Sequence, residues 1–284
     1  MKRLSLLAIL AAAALSGAAA PAPAHLACGG DLTQGGFVVC FTAPGAQIFV
    51  DGVAMTRADA KGDAVVGFDR DAPPATHIEA KAGGVVIAAV DLAVAPQVYD
   101  IQRVDGLPQN TVTPTDPKLL ARIQREAAVK SKAQLSRASV SGFLEPWIWP
   151  IDGRMSGAWG NQRVLNGVPA SPHMGFDIAA PTGTPIKAPA SGIVTLASAD
   201  MHYEGGLVFI DHGQGLITMY LHMSRLDVKV GDVVVQGQVI GAVGAKGRAT
   251  GPHLCWRMKW HGRFLDPALV PEMALKPLTI AVNR

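Results

Sequence analysis

The sequence predicts a mainly β protein in which two β-rich parts are joined by one surface helix. Short runs of β-branched and aromatic residues alternate with Gly, Pro and Asp turns. A helical stretch occurs only around residues 118–137, and glycine marks nearly every corner after residue 142. We therefore expect four segments: a signal peptide at 1–24, a small β-sandwich at 25–106, a linker and surface helix at 107–141, and an antiparallel β-sheet domain at 142–284.

The first 24 residues have the pattern of a secretory signal peptide. A basic start at Lys2 and Arg3 precedes an apolar Ala- and Leu-rich run, which ends in the Pro-rich stretch 21–24. We expect cleavage after Ala24. The alternative is an uncleaved anchor, for which the apolar run is short. The mature chain is therefore expected in the periplasm or secreted, with no stable membrane anchor after cleavage.

The charge of the chain argues against a nucleic-acid partner. The formal net charge is +3, and loss of Lys2 and Arg3 with the signal peptide would leave the mature chain nearly neutral. Nucleic-acid-binding domains carry clustered basic residues on one face. We therefore expect no nucleic acid among the partners.

The three cysteines indicate one disulfide and one unpaired thiol. Cys28 and Cys40 bracket a Gly-rich, turn-forming stretch that can bring them together in an oxidising compartment. Cys255 then has no partner. It is either a small buried apolar residue or a thiolate that coordinates a metal.

The segment 25–106 is expected to form the small β-sandwich. Strands are predicted at 37–41, 47–50, 64–68 and 76–80, and the pattern continues at 85–87 and 97–99. An immunoglobulin-like arrangement is a guess from fold-level analogy. The segment has no catalytic constellation, so we interpret it as a spacer or docking module.

The surface helix is predicted to begin after Asp116, which suits the N-cap position, with Pro117 at the first helical position. It is expected to run from Lys118 to Arg137. Only part of one face is apolar, as is typical of a surface helix. Its positive side chains are either solvated or in contact with an anionic polymer.

The segment 142–284 is expected to be all-β. Residues 183–196 predict two strands around a turn, and residues 206–220 predict a hairpin with a Gly-flanked turn. Residues 228–240 repeat the same pattern and predict another hairpin.

Three short motifs in this segment carry metal-binding chemistry. His173 and Asp177 form an H-x3-D motif around a glycine, and His222 ends a Y-x-H motif. His253 and Cys255 form an H-x-C motif, and alternate side chains of a strand share one face. Imidazole, carboxylate and thiolate are all zinc ligands, and catalytic zinc sites use three protein ligands. The motifs therefore predict a zinc site.

The order of these motifs between about residues 147 and 270 resembles the M23 zinc metallopeptidases, the lysostaphin- or LytM-type enzymes that cut peptide cross-links of bacterial peptidoglycan. The resemblance implies an M23-type peptidase domain with one Zn²⁺ per chain, bound by His173 and Asp177. It places His222 and His253 beside the reacting carbonyl and water. The implied partners are peptidoglycan peptides, together with other cell-wall or division proteins.

The chain departs from the family pattern at Cys255, which stands where the family has its third zinc ligand, the second histidine of H-x-H. Two hypotheses follow. In the first, Cys255 is a thiolate ligand and the protein is an active zinc metalloendopeptidase. In the second, the domain is degenerate and binds peptidoglycan or activates another wall hydrolase.

Three further residues are candidates for binding substrate. Arg163 and Asn166 lie in the loop before the H-x3-D motif, and Tyr220 belongs to the Y-x-H motif. A role in loop structure is the alternative for Arg163 and Asn166.

Overall fold

The structure is a computed structural model that describes residues 25–270. The predicted signal peptide, residues 1–24, lies outside the described residues, as do residues 271–284 at the end of the predicted C-terminal domain.

The N-terminal module consists of two antiparallel sheets. One has the strand order β1-β2-β5 and the other β4-β3-β6-β7. The strands are β1 (Ala27–Gly30), β2 (Phe37–Phe41), β3 (Gln47–Val50), β4 (Val53–Arg57), β5 (Asp63–Gly67), β6 (Ala75–Ala82) and β7 (Val85–Ala93). Inward-facing residues of both sheets, such as Val38 and Ile48, are fully buried in one hydrophobic cluster. Cys28 lies opposite Cys40 across β1 and β2, and their sulfur atoms are bonded.

The C-terminal half confirms the prediction of an antiparallel β-sheet domain. The main sheet has the order β18-β14-β15-β16-β20-β12-β9, with β21 paired to β20, and a small second sheet has the order β13-β19-β17. The strands are β9 (Arg154–Gly157), β10 (Gln162–Leu165), β11 (Val168–Ala170), β12 (Phe176–Ala179), β13 (Pro185–Lys187), β14 (Gly192–Met201), β15 (Gly205–Asp211), β16 (Leu216–Met223), β17 (Arg225–Leu226), β18 (Val233–Val234), β19 (Val239–Ala242), β20 (His253–Trp260) and β21 (Arg263–Leu265).

The expected hairpin at 206–220 is present as β15 and β16, but the expected hairpin at 228–240 is wrong. There, β18 pairs with β14, while β19 pairs with β13 and β17. The turn at Gly237 explains the separation, because its N–H donates to Ala188 O (2.9 Å) and Ala188 N–H donates to Gln238 O (2.8 Å). These bonds direct the chain towards β13, not back along β18.

The strand expected at 97–99 is also wrong, and the next strand is β8 (Ile101–Val104). The backbone N–H of Gln97 donates to the side chain of Gln34, and Tyr99 packs against Trp159, so side-chain contacts hold this stretch. Strand β8 then pairs in parallel with β10 of the C-terminal half. The chain therefore contributes a strand to the C-terminal half before the helix begins.

The helix α1 (Pro117–Ala133) has no buried residue and lies on the surface. The side chain of Asp116 accepts a hydrogen bond from Lys118 N–H at its start. It ends four residues before the expected Arg137, because the chain turns away and Ala138 N–H donates to Asp211 (2.8 Å). Between residues 25 and 270, no helix combines the length and apolar character needed to cross a membrane.

Candidate metal centre

The H-x3-D motif enters strand β12 through a bend. His173 lies in the loop before β12, the chain bends at Gly175, and Asp177 is the second residue of the strand. The bend brings His173 Nε2 to 3.2 Å from Asp177 Oδ1. It needs a glycine, because a Cβ at position 175 would lie 2.8 Å from Cys255 Sγ.

Cys255 joins this pair because β20 runs beside β12 with Cys255 directly opposite Asp177. Its Sγ lies 3.5 Å from His173 Nε2, and the ligand atoms of the three residues all lie within 4.8 Å of one another. A tetrahedral zinc ion with nitrogen and oxygen at about 2.1 Å and sulfur at about 2.3 Å sets its ligand atoms about 3.4 to 3.6 Å apart. The spacings around His173 Nε2, 3.2 Å to Asp177 Oδ1 and 3.5 Å to Cys255 Sγ, lie close to these values, so the group can hold such an ion after a small adjustment.

The burial of these groups also fits a bound cation. His173, Asp177 and Cys255 are only 1%, 6% and 1% exposed. Asp177 Oδ1 is buried and makes no regular hydrogen bond among the described residues, although the imidazoles of His173 and His253 lie at ion-pair distance from it (3.2 and 3.9 Å). An unsatisfied buried carboxylate oxygen is costly unless something compensates it, and a cation between the three groups would do so.

Two further histidines face the same centre. The rings of His222 and His253 lie 4.6 Å apart, centroid to centroid, and His253 Nε2 lies 3.9 Å from Asp177 Oδ1. His253 and Cys255 share one face of β20, as strand alternation predicts. Both line a groove that also contains His222.

All three histidines are oriented in the same way. The Nδ1 atoms of His173, His222 and His253 lie at hydrogen-bond distance from the backbone carbonyls of Ala158 (3.2 Å), Lys246 (2.7 Å) and Gly251 (2.9 Å). A carbonyl can only accept, so each Nδ1 carries a proton, and in the neutral ring the Nε2 atom keeps a lone pair that faces the centre. Such bonds fix both the tautomer and the direction of the ring.

His222 reaches the centre only because of an unusual backbone conformation. In β16, Leu221 lies opposite Cys255 and Tyr220 lies opposite Trp256, so regular alternation would put His222 on the Tyr220 face. Instead, His222 has φ of 65°, in the left-handed region that few non-glycine residues adopt. This turn breaks the alternation and places its ring beside His253.

The environment controls the ionisation of these groups. Burial alone would raise the pKa of the Asp177 carboxyl, but His173, His253 and Arg163 outweigh burial and hold that pKa well below its usual range. Burial lowers the pKa of His222 to about 4 and also lowers the pKa of His253. Asp177 is therefore an anion, and these two rings are neutral, near pH 7.

Comparison with known proteins agrees with this geometry. The model of peptidase family M23 matches residues 171–267. A Pseudomonas aeruginosa crystal structure assigned to peptidase M23 is 32% identical with a TM-score of 0.64, and the alignment covers 85% of this chain and 95% of that chain. This chain belongs to the M23 peptidase family.

Two curated relatives match part of this M23 chain. Peptidoglycan DD-endopeptidase ShyC of Vibrio cholerae is 38% identical over 148 residues, which is 51% of this chain and 33% of ShyC. DD-carboxypeptidase/endopeptidase Mpg of Neisseria meningitidis is 42% identical over 98 residues, which is 34% of this chain and 22% of Mpg. The chain thus spans a third or less of the length of these relatives.

Of the three candidate substrate-binding residues, only Arg163 lines the M23 groove. Its Nη2 donates to Asp177 Oδ2 (3.1 Å) and its Nε donates to Gln102 Oε1 (3.1 Å). It therefore holds the carboxylate that faces the centre.

The assignments of Asn166 and Tyr220 to substrate binding are corrected by the structure. Asn166 occupies the turn between β10 and β11 and makes hydrogen bonds to both the N–H and the carbonyl of Leu107. Tyr220 is 0% exposed in the core, where its hydroxyl bonds to Thr218 (2.8 Å). Strand register puts Tyr220 on the face of the sheet away from Cys255.

Two residues of the M23 centre are not among the sequence-predicted site residues. Arg257 Nε donates to Cys255 Sγ (3.4 Å), and strand alternation could have identified it, because it lies two residues after the cysteine. Gln102 reaches Arg163 from β8, a strand far away in sequence. No local pattern in the sequence indicates that contact.

Proposed function

We propose that this protein is a zinc-dependent metalloendopeptidase that hydrolyses peptide cross-links of peptidoglycan. The observation that carries the proposal is the close group of His173, Asp177 and Cys255 ligand atoms, with His222 and His253 directed into the same groove. ShyC and Mpg, whose names describe endopeptidases, support the reaction type, and the name of ShyC supports the substrate.

The proposed metal ligands are His173, Asp177 and Cys255, one zinc ion per chain. Bound zinc would polarise the scissile carbonyl and lower the pKa of the attacking water. Cys255 supplies a soft, electron-donating thiolate, which weakens Lewis acidity compared with a third imidazole. Asp177 supplies a carboxylate whose other oxygen is fixed by Arg163.

The proposed proton transfers use His222 and His253. Because each Nδ1–H is bound to a backbone carbonyl, each Nε2 lone pair is free to take a proton from the attacking water. A ring that has taken this proton becomes an Nε2–H donor. It can then stabilise the oxyanion of the tetrahedral intermediate or protonate the leaving amine. The two histidines share these roles.

We infer that the protein acts outside the cytoplasm, because its proposed substrate is the cell wall. The signal-peptide pattern of residues 1–24 and the disulfide between Cys28 and Cys40 support an oxidising compartment. Contacts with other cell-wall or division proteins stay a prediction, as does a docking role for the N-terminal module.

The first experiment is metal analysis of the purified protein. Wild type should contain one zinc per chain, and Cys255→Ser should contain much less, because a neutral hydroxyl replaces a thiolate ligand. Cys255→His should retain the metal. A wild-type protein that takes up no zinc from excess zinc salt would overturn the proposal.

The second experiment is digestion of cross-linked muropeptides by wild type, His253→Ala and Cys255→His. Wild type should release the monomers, His253→Ala should not, and Cys255→His should cut at least as fast as wild type. If Cys255→His alone cuts, the natural protein is a pseudoenzyme that binds peptidoglycan or activates another hydrolase.

A further inference from the structure

The groove in front of the metal centre carries more positive than negative side chains. Strand β8 forms one wall and the loop before β20 forms another. The cationic residues of its lining are Arg103, Arg154, Arg163 and Arg248, and the anionic ones are Asp105 and Asp177. Arg163 and Asp177 neutralise each other through their ion pair. The remaining lining has three cations and one anion.

Arg248 differs from the other two unpaired arginines of this groove, Arg103 and Arg154, because it is partly buried and they are exposed. It is half-buried, yet within residues 25–270 no carboxylate lies at ion-pair distance from it. Glu204, which attracts it from farther away, is itself paired with Lys130 on α1. Cations that lose solvent normally have an anionic partner.

The side chain of Arg248 is nevertheless held in place. Its Nη1 donates to the carbonyl of Thr111 (3.3 Å), and its guanidinium lies 5.0 Å from the centre of the Tyr203 ring. Its backbone N–H donates to Tyr203 O (2.8 Å). A guanidinium has five N–H donors, and the contact with Thr111 uses one of them.

The loop that carries Arg248 is also part of the centre. The carbonyl of Lys246 fixes the ring of His222, and Gly247 packs so closely on Tyr203 that a Cβ there would lie 2.5 Å from its carbonyl oxygen. Arg248 is therefore fixed relative to the proposed catalytic histidine. Burial, followed by repulsion from Arg257 and Arg163, lowers the pKa of Arg248, and an anion bound to the guanidinium would offset both effects.

We propose that Arg248 binds a carboxylate of the substrate peptide close to the bond that is cut, and thereby determines which peptides are accepted. A planar guanidinium with free donors matches a carboxylate in two parallel hydrogen bonds. The carboxylate belongs either to a side chain of the peptide or to its C-terminus. This inference rests on the proposed peptidase function and adds a substrate requirement to it.

The test uses one cross-linked muropeptide in three forms: with all carboxylates free, with the side-chain carboxylates amidated, and with the C-terminal carboxylates amidated. With wild type, one of the two amidations should lower kcat/KM about 10-fold or more, the range of a charge-assisted hydrogen bond. The amidation that lowers kcat/KM identifies the carboxylate that Arg248 binds. If neither amidation affects wild type, the proposal is wrong.

The variants then assign the effect to Arg248. Arg248→Gln should lose the preference for the free carboxylate and should cut the sensitive amidated form as wild type does. Arg248→Lys keeps the charge without the planar fork and should show an intermediate preference. Arg225→Gln is the control, because Arg225 is exposed, lies outside the groove and pairs with Asp227. It should behave as wild type.

Two outcomes separate this proposal from the proposed function. If Arg248→Gln lowers activity on all three forms equally, the subsite is wrong although the protein is a peptidase. If wild type cuts none of them, calorimetric binding of the same peptides decides. Tighter binding of the free form by wild type but not by Arg248→Gln keeps the subsite, whereas equal binding overturns it.

Discussion

The Nη2 atom of Arg163 lies 3.1 Å from Oδ2 of Asp177, so an arginine of β10 holds the carboxylate of the proposed metal ligand. The same guanidinium bonds through Nε to Gln102 of β8. Gly157 makes room for this arrangement, because a Cβ there would lie 2.6 Å from Asp177 Oδ2 and 2.9 Å from Gln102 Nε2. Strand β10, which lies outside the matched M23 segment, thus helps to orient the proposed ligand Asp177 inside that segment.

Removal of this arginine should weaken the metal site without removing a ligand. We expect Arg163→Met to lower zinc affinity about 10- to 100-fold, as is usual when a group that orients a ligand is lost. Gln102→Ala should have a smaller effect in the same direction. Zinc competition with a chromophoric chelator measures both. Arg225→Gln should bind zinc as wild type does, and unchanged affinity in Arg163→Met would contradict the orienting role.

Gly175 should be intolerant of even one methyl group. In Gly175→Ala the new Cβ would lie 2.8 Å from Cys255 Sγ and 2.8 Å from Arg257 Cγ, so the thiolate must move. We expect zinc affinity to fall about 10-fold or more. Gly251→Ala is the matched control, because it lies beside His253 but has nothing within 4 Å of its Cβ. Equal zinc affinity in the two variants would argue against the steric explanation.

His222 should be needed for hydrolysis but not for metal binding. We expect His222→Ala to keep one zinc per chain and to lower kcat about 10²- to 10⁴-fold, the range for loss of a general acid or base. Zinc content and muropeptide release are measured on the same preparation. Loss of zinc together with activity would instead make His222 a ligand.

His212 should make the fold sensitive to acid. It is 0% exposed, its Nδ1 lies 2.8 Å from Ser191 O and its Nε2 lies 2.7 Å from Thr218 Oγ1. Burial lowers its pKa to about 4 from the ordinary 6.5. Between these values the unfolded chain binds a proton that the folded chain does not. The free energy of unfolding should therefore fall as the pH drops from 6.5 to 4, by on the order of 3 kcal/mol.

The variant His212→Gln should remove that part of the pH dependence while keeping both a donor and an acceptor in place. Denaturant unfolding at pH 7.5, 5.5 and 4.5 measures it. Other buried histidines contribute equally to both proteins, so the difference between the two curves isolates His212. Parallel curves for wild type and variant would contradict the prediction.

The sequence alone predicted the secondary structure class and the proposed ligand set. Period-two alternation and turn formation depend on residues that are close together in the sequence. The β-rich modules, the N-cap at Asp116 and the shared face of His253 and Cys255 could therefore be predicted. The H-x3-D and H-x-C motifs likewise made His173, Asp177 and Cys255 candidates, because each motif lies within one short stretch, and the resemblance to the M23 family implied their proposed roles as ligands.

Only the tertiary structure decided how distant segments meet. Parallel pairing of β8 with β10 joins Gln102 to Arg163 across some sixty positions of sequence, and no local pattern encodes such a contact. The left-handed backbone of His222 overrides strand alternation at the point where the pairing of β16 with β20 ends, after Leu221. The register of β16 against β20 also places Tyr220 opposite Trp256, where its side chain is buried in the core. Side-chain direction at the centre is therefore a product of long-range pairing.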